Sequence, residues 1–298
     1  MNERTALLIS NPNAGRGGRA RARAVERFCG ELRRRGLTVE TASTAGPRDA
    51  ERLARGAVAR GLREVVVSGG DGTVNEALQG LVGSGVRVGV WPAGTANVLA
   101  RQLELPFDAD DAARVFADGR TRRITLGRAV EEETGRSRFF FLMAGVGLDA
   151  SVVKNVRPRL KKRMGEAAYW YSGFGHLAHW RPRVFTVEVG GREYPATYAA
   201  IGKAPWYGGG LSLTPRARLD ADEFEVCLIN TRSRLRYLRL LAHAVRGGAP
   251  EGTRGVTYLR ARRLRATGDA LVQTDGELTG RLPMTFEVVT EGVEIVVP

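Results

Sequence analysis

The segment Val65-Val66-Val67-Ser68-Gly69-Gly70-Asp71-Gly72-Thr73 decides the class of fold. A β-branched run is typical of a buried strand, and the glycines that follow it predict a tight turn into a helix at Val74–Leu81. Glycine lets a backbone approach a phosphate closely, and the N-terminus of the next helix attracts anions. Asp71 either caps that helix or, beside phosphates, binds a divalent cation or accepts a proton.

The same pattern of strand, turn and helix recurs on both sides of this segment. The turn Asn11–Gly15 follows an apolar strand at Ala6–Ser10, and the turn Pro92–Asn97 follows a strand at Val86–Trp91. Alternating strands and helices form a mostly parallel sheet, and ligands bind at the carboxyl ends of its strands. We therefore expect the three turns to form one phosphate-binding cleft. Neither a P-loop nor a dinucleotide fingerprint is present at these turns.

From about residue 124 the pattern changes to short alternating segments separated by glycine turns. These segments predict strands, two of them at Phe139–Ala144 and Glu193–Ile201, and the pair Gly190-Gly191 predicts a hairpin. The sequence therefore predicts two domains. The first is an α/β domain with a mostly parallel sheet at residues 1–123. The second is a β-rich, sandwich-like domain at residues 124–298.

The composition, 43% hydrophobic and 26% charged over 298 residues, is that of a globular protein and excludes a disordered or collagen-like chain. No apolar run approaches the roughly 20 residues that span a bilayer. The run Ala6–Ile9 is too short for a signal peptide, and Cys29 and Cys227 lack the spacing of a zinc site or a disulfide framework. These features predict a cytoplasmic protein.

The net charge of +14 favours polyanionic partners, although only four of the 46 basic residues are lysines and an arginine-rich composition also follows from genome base composition. Nucleic acid is not expected, because no nucleic-acid-binding motif is visible. Lys161, Lys162 and Arg163 precede aromatic residues at helical spacing. This pattern predicts an amphipathic helical insertion near residues 158–180 that docks on an anionic membrane, with a core-packed helix as the alternative.

Six segments together resemble the bacterial diacylglycerol kinase and lipid kinase family, which also includes sphingosine and ceramide kinases. They are LLISNPNAGRG (7–17), VVVSGGDGTVNEALQGL (65–81), VGVWPAGTANVLAR (88–101), FFFLMAGVGLDA (139–150), LTPRARLDADEFEVCLI (213–229) and LVQTDGE (271–277). The resemblance implies that the two domains clamp ATP in a cleft between them. It also implies that the γ-phosphate passes to a hydroxyl of a diacylglycerol-like or sphingoid lipid, in phospholipid biosynthesis, at the inner face of the membrane.

The resemblance also implies roles for individual residues. It places nucleotide contacts at Asn11, Pro12, Asn13, Ala14, Gly15, Thr44, Gly69, Gly70, Asp71, Gly72, Thr73, Val74, Asn75, Glu76, Gly94 and Thr95. Glu277 matches the proposed general base, a role that Asp71 has also been given in sphingosine-type relatives. We favour Glu277 as the base and Asp71 in a network of Mg²⁺ and phosphate. Asp149 either orients the lipid head group or is a turn residue.

Three positions depart from the family pattern, because relatives carry aspartate where this chain has Val98, Thr125 and Ala221. The aspartate at the position of Ala221 binds a structural magnesium in some members, and magnesium prefers carboxylate oxygens. Asp220 and Asp222 remain as candidate ligands. The catalytic Mg²⁺ would arrive with ATP and be held by the phosphates and Asp71.

Two other functions stay open at this point. One is a NAD kinase-like enzyme, because NAD kinases share Gly-Gly-Asp-Gly. The other is a catalytically weak member that binds lipid or nucleotide, which the residues at positions 125 and 221 suggest. A lipid substrate and a peripheral association with the membrane are expected, and homodimer formation is left open.

Overall fold

The computed structural model describes residues 4–15, 18–148, 150, 182–207, 210–250 and 252–298. Two compact units are present, one formed by Met1–Ile124 with Glu291–Pro298 and the other by Thr125–Thr290. The predicted division into 1–123 and 124–298 did not include the return of the C-terminal residues to the first unit. Asp149 and the predicted insertion near 158–180 lie outside the described residues.

The first unit alternates strands and helices. Its elements are β1 (Arg4–Ser10), α1 (Gly18–Arg34), β2 (Leu37–Ser43), α2 (Asp49–Ala59), β3 (Glu64–Gly69), α3 (Asp71–Leu81), β4 (Arg87–Pro92), α4 (Val98–Gln102) and α5 (Ala109–Asp118). The strand order is β2-β1-β3-β4, all parallel, and the chain's last strand adds to β4, with Glu294 opposite Arg87. The predicted α/β fold is confirmed, whereas α5 was not predicted.

The parallel register brings the carboxyl ends of the strands to one edge of this sheet. Ser10 at the end of β1 lies opposite Ser68 in β3, and Gly69 lies opposite Pro92 at the end of β4. β3 is buried along its whole length, as expected for a strand covered on both faces. On one face, Phe28 of α1 stacks on Trp91 of β4 with 4.8 Å between ring centroids. The three glycine-containing turns therefore leave the sheet at the same edge.

The second unit is built mainly from antiparallel strands. Its elements are β5 (Arg120–Glu131, which begins in the first unit), β6 (Ser137–Phe140), β7 (Met143–Val146), β8 (Phe185–Val189), β9 (Arg192–Ala196), β10 (Tyr198–Gly202), β11 (Phe224–Ile229), α6 (Arg234–Val245), β12 (Val256–Ala261), β13 (Arg263–Thr267), β14 (Leu271–Thr274), β15 (Glu277–Arg281) and β16 (Met284–Val297, which ends in the first unit).

Six strands form one sheet in the order β12-β11-β10-β7-β14-β15, with every neighbouring pair antiparallel. A second group pairs β16, β13, β8 and β9, with β5 and β6 alongside. Side chains from both groups share one core, in which Phe140 and Phe224 stack at 5.7 Å. The predicted sandwich-like fold and the hairpin through Gly190-Gly191 are confirmed.

Two of the strands predicted in this unit are each divided into two shorter strands. The segment predicted as Phe139–Ala144 is divided into β6 and β7 by a bend at Phe141 and Leu142, and Glu193–Ile201 is divided into β9 and β10. Apolar alternation continues across both breaks, so the pattern alone does not mark them. None of the helices in the described part of the chain is long and apolar enough to cross a membrane.

Candidate active site

The turns after β1, β3 and β4 contact one another directly. The backbone N–H of Asn11 donates to the carbonyl of Ser68 at 2.8 Å, and its side-chain Nδ2 donates to Oγ1 of Thr73 at 3.0 Å. The backbone N–H of Ala93 donates to the carbonyl of Gly69 at 2.8 Å. These bonds join three segments that are far apart in the chain, as the strand pattern predicted.

Two glycines allow the turns after β3 and β4 to approach this closely. A Cβ atom on Gly70 would lie 3.1 Å from the Cα of Gly94, and a Cβ atom on Gly94 would overlap the Cα of Gly70. Asn97 holds the second turn in shape, because its Oδ1 accepts from the N–H of Gly94 at 2.8 Å and its Nδ2 donates to the Gly94 carbonyl at 2.7 Å. A side chain on either glycine would therefore push the turns apart.

Asp71 is the first residue of α3, and its carboxylate reaches across to α4. Its oxygens accept hydrogen bonds from the backbone N–H groups of Val98, at 3.0 Å, and Leu99, at 3.2 Å. Burial raises the pKa of Asp71 above its ordinary value, although these N–H donors act in the opposite direction. Asp71 therefore caps the helix after β4, not its own helix, and joins two of the three turns.

Other predicted contacts lie at the same edge of the sheet. The backbone N–H of Thr44, after β2, donates to the carbonyl of Ser10 at 3.0 Å. Gly15 has a φ of 65°, and a Cβ there would lie 3.0 Å from the carbonyl oxygen of Ala93. Pro12 and Asn13 are exposed, Ala14 is buried, and Gly72, Thr95 and Glu76 are partly buried or exposed in the turns and in α3.

Val74 and Asn75 differ from the other members of the predicted set. The side chain of Val74 is buried in the core, and its N–H donates to the carbonyl of Gly70 at 3.1 Å. Asn75 is also buried, and its Oδ1 accepts from Nε2 of Gln79 at 3.0 Å one helical turn later. Both residues support α3 from within the fold.

Arg21 of α1 was not among the predicted site residues, yet it lies beneath the turns. Its guanidinium donates to Oγ of Ser68 at 2.6 Å and to Oγ of Ser10 at 3.3 Å, and stacks 4.5 Å from the centroid of the Trp91 ring. Burial lowers its pKa. Arg21 therefore places a positive charge at the carboxyl ends of β1 and β3. The sequence offers no signal for it, because α1 contains many arginines.

Glu277 of the second unit begins β15, and its side chain is about half exposed. Its Oε2 accepts from Nη2 of Arg138 at 3.2 Å. The neighbouring Asp275, which was not predicted, accepts from the backbone N–H groups of Phe141, Leu142 and Met143 at 2.9–3.0 Å. Asp275 therefore fixes the turn that presents Glu277 against the bend between β6 and β7.

Lys203, which immediately follows β10, has a fully buried side chain in the second unit. Its Nζ donates to Oγ1 of Thr125 at 2.6 Å and to the carbonyl of Ala221. Burial lowers the pKa of Lys203 to about 8, while the negative charges of Asp222, Asp220 and Glu223 act to raise it.

The candidate metal ligands of the second unit are paired with cations. Asp220 accepts from Nε of Arg218 at 3.0 Å, and Asp222 lies 3.8 Å from Nη2 of Arg262. Across the described part of the chain, no three His, Cys, Asp or Glu side chains lie close enough together to hold a metal ion. Each of these two carboxylates therefore already has an arginine beside it, and the Lys203 ammonium contacts the same loop.

A parallel α/β unit whose three glycine-containing turns meet at one edge, followed by an antiparallel sandwich-like unit, is an architecture suited to binding a phosphorylated ligand at the carboxyl ends of the strands. Comparison with known proteins identifies the family. The diacylglycerol kinase catalytic domain matches residues 5–129, and the YegS C-terminal NAD kinase beta sandwich-like domain matches residues 143–297. The chain belongs to the diacylglycerol kinase family and is a lipid kinase-type phosphotransferase.

Curated relatives match along nearly the whole chain. A diacylglycerol kinase of Mycobacterium tuberculosis is 31% identical over 97% of this chain and 94% of its own length. A diacylglycerol kinase of Bacillus subtilis is 27% identical over 98% of this chain and 96% of its own length. The similarity therefore extends over both units and not over the first unit alone.

Solved structures from Bacillus anthracis str. Sterne, described as diacylglycerol kinases, share the fold. One superposes with a TM-score of 0.80 at 19% identity, covering 99% of this chain and 97% of that chain. Another has a TM-score of 0.75 at 17% identity, covering 100% of this chain and 98% of that chain. At this identity, the likeness concerns the architecture of the two units.

Proposed function

We propose that this protein transfers the γ-phosphate of ATP, with Mg²⁺, to a hydroxyl group of a diacylglycerol-like lipid. The observation that carries the proposal is the contact between the turns after β1, β3 and β4, where Gly70 and Gly94 bring two backbones together. A concave group of glycine turns beside a helix N-terminus suits phosphate oxygens, which accept from backbone N–H groups. The positive charge of Arg21 beneath the turns supports the same ligand.

Asp71 is the residue that suits a magnesium ion arriving with the nucleotide. Each of its oxygens accepts one backbone N–H, from Val98 or Leu99, and a carboxylate oxygen has a further lone pair to offer. The bound ion would neutralise charge on the transferred phosphate. The two N–H bonds orient the carboxylate before any ligand binds, which reduces the ordering required on binding.

Glu277 is our candidate for the group that accepts the proton of the lipid hydroxyl. Its carboxylate is about half exposed, whereas both oxygens of Asp71 are engaged by backbone donors. A general base must be able to approach the hydroxyl of a substrate, and a half-exposed carboxylate can do so. The ion pair with Arg138 and the bonds made by Asp275 orient it.

A panel of acceptors with labelled ATP tests the proposal. Diacylglycerol, a sphingoid base, a ceramide and NAD are each offered with Mg²⁺, and the label is followed into product. Transfer to diacylglycerol above all other acceptors supports it. Exclusive labelling of NAD would show a NAD kinase, and nucleotide binding without transfer would show a catalytically weak binding protein.

We also propose that the protein acts at an anionic membrane surface, and α6 supplies a surface suited to it. Leu235, Leu238 and Val245 lie on one face of this helix and are 61%, 40% and 50% exposed. The opposite face packs into a core cluster through Tyr237 and Leu240. The helix contains no acidic residue, Arg234 and Arg239 lie at its exposed positions, and the exposed Arg246 follows its last residue.

Exposed apolar side chains beside arginines fit a bilayer with negative head groups. The apolar side chains are buried at the boundary of the acyl chains, and the arginines are attracted to the anionic head groups. Cosedimentation with vesicles of anionic or of zwitterionic lipid measures the association. The triple variant Leu235→Ser, Leu238→Ser, Val245→Ser should lose binding to anionic vesicles, and Arg52→Glu in α2 is a control that should retain it. Equal sedimentation of wild type and triple variant would refute this surface.

The segment near residues 158–180 was predicted for the same role and can be tested in the same assay. Reversing Lys161, Lys162 and Arg163 to glutamate should release the protein from anionic vesicles, since each cation contributes about 1 kcal/mol near such a surface. High salt should have the same effect on the wild type. If neither the charge reversal nor high salt changes the binding to vesicles, the result would indicate a core-packed helix.

A further inference from the structure

The connection between β10 and β11 forms an oxygen-rich cluster with Thr125 of β5 in the second unit. Oγ1 of Thr125 lies 2.6 Å from the carbonyl oxygen of Ala221 and 3.3 Å from that of Leu219. The negative charges of Asp220, Asp222 and Glu223 act on the same place. Carbonyl and carboxylate oxygens grouped in this way are the usual partners of a hard cation.

The cation at this place belongs to the chain itself. The ammonium of Lys203 is fully buried and donates to the Thr125 hydroxyl and to the Ala221 carbonyl. Burial of an ammonium is costly unless its donors find acceptors, and these two oxygens are acceptors for it. A divalent ion would have to displace Nζ in order to reach the Thr125 hydroxyl and the Ala221 carbonyl.

The backbone of the same residue is attached to the bend between β6 and β7. The N–H groups of Lys203 and Ala204 donate to the carbonyl of Leu142 at 2.8 and 3.1 Å. From the other side, Asp275 accepts the N–H groups of Leu142 and Met143. Lys203 and Asp275 therefore hold one bend from two directions, and Glu277 lies two residues beyond Asp275.

We infer that the Lys203 ammonium is the resident cation of the loop at residues 219–223, in place of a divalent metal. We further infer that it anchors the backbone of Lys203, whose N–H donates to Leu142, and so positions the turn carrying Glu277 through the bend at residues 141–143. The first part concerns the folded chain alone. The second part rests on the proposed function, because it assigns an indirect role in the transfer step.

Thermal unfolding without nucleotide or lipid tests the first part. The wild-type melting temperature should be the same in EDTA and in excess MgCl₂ at matched ionic strength, and a shift specific to Mg²⁺ would overturn the inference. Lys203→Met should lower the melting temperature by about 5 °C, since charge-assisted hydrogen bonds in a buried site are lost. The control Arg218→Met removes an exposed cation from the same loop and should change it by less than about 1 °C.

A double variant keeps the test decisive if Lys203→Met does not fold. Lys203→Ala with Ala221→Asp removes the ammonium and adds a carboxylate oxygen. It should be destabilised in EDTA and restored by Mg²⁺. A double variant indifferent to Mg²⁺, or a Lys203→Met variant as stable as wild type, would refute the role of Lys203 as the resident cation.

Steady-state kinetics of Lys203→Met tests the second part. We expect kcat to fall about 10-fold with the KM for ATP unchanged, because the turn of Glu277 is displaced while the phosphate-binding turns of the first unit are intact. Unchanged kcat would refute the positioning role. If the wild type transfers phosphate to no lipid at all, the proposed function fails, but the unfolding measurements still decide whether Lys203 is the resident cation.

Discussion

The carboxylate of Asp71 accepts a hydrogen bond from the backbone N–H of Val98 at 3.0 Å, so the turn after β3 holds the first residue of the helix after β4. The sequence alone places Asp71 in an exposed turn, where replacing this side chain would leave the fold intact. The structure gives it a second role, because the cap joins two turns that, under the proposed function, must stay together to bind phosphate. The side chain of Asp71 therefore has both the proposed role in phosphate transfer and a role in the local stability of α4.

Asp71→Ala should reduce turnover below about one-tenth of wild type, a loss of more than about 1.4 kcal/mol in transition-state stabilisation. It should also lower the free energy of unfolding by about 1 kcal/mol, the usual cost of losing a helix cap. Steady-state kinetics and urea denaturation measure the two effects. Asp118→Ala, which removes a mostly exposed carboxylate of the same unit, is the control. Full turnover in Asp71→Ala would exclude Asp71 from the chemistry.

Gly94→Ala should weaken nucleotide binding, because the new methyl group would overlap the Cα of Gly70 and separate the two turns. Overpacking of this kind usually costs about 1–3 kcal/mol, and most of it should appear as a higher Kd for ATP. Isothermal titration with ATP and Mg²⁺ measures it. Gly56→Ala in α2 has open space around its Cβ and should bind ATP normally. Equal affinity in the two variants would contradict the close approach as the basis of the site.

Glu277→Gln should lower kcat by about 100-fold or more and leave the KM for ATP unchanged, because glutamine retains the shape but cannot accept a proton. Arg138→Gln removes the ion pair while keeping the carboxylate, and we expect a smaller loss. Single-turnover kinetics from pH 6 to pH 9 separates the two variants. If Glu277→Gln keeps wild-type turnover over this range, the base is Asp71 or another group.

The free energy of unfolding in acid should depend on the protonation of one buried carboxylate, that of Glu131. Hydrogen bonds from Thr134 and Arg136 lower its pKa from 4.5 to about 2. Because the folded pKa is below the unfolded one, its contribution is fully present above pH 4.5 and is lost as the pH falls toward 2. Shifts of this size correspond to at most about 3 kcal/mol.

Urea denaturation at several pH values tests this linkage. Glu131→Gln should be less stable than wild type at pH 6, and the difference should shrink steadily as the pH falls from 4.5 toward 2. Glu133→Gln changes an exposed neighbour and should match wild type at every pH. A difference between wild type and Glu131→Gln that does not depend on pH would contradict the role of its charge.

Much of the first unit follows from the sequence because its signals are local. The β-branched run at Val65–Val67, the glycines after it and the helical period of α3 lie within one short segment, and each is sufficient to indicate its own element. Parallel pairing then requires the turns to meet at one edge. For the same reason, Asn11, Gly70 and Gly94 were predictable as neighbours at one edge of the sheet.

The breaks between β6 and β7 and between β9 and β10 were not predicted from the sequence. Apolar residues continue from Phe139 to Ala144, but Asp275, more than 130 positions later, accepts the N–H groups of Phe141, Leu142 and Met143 and holds a bend there. A hydrogen bond to a distant residue does not change the pattern of apolar residues within the segment. The predicted single strand was wrong for this reason.

The sequence by itself determined the two kinds of sheet, most of the elements of the first unit and the glycine-containing turns that follow β1, β3 and β4. Only the tertiary structure decided that Asp71 caps α4, that Arg21 reaches Ser68, and that Lys203 fills the cluster around Thr125. Local elements depend on short-range periodicity and turn chemistry, which neighbouring residues specify. Contacts between side chains distant in the chain depend on strand register and packing, which only the assembled fold establishes.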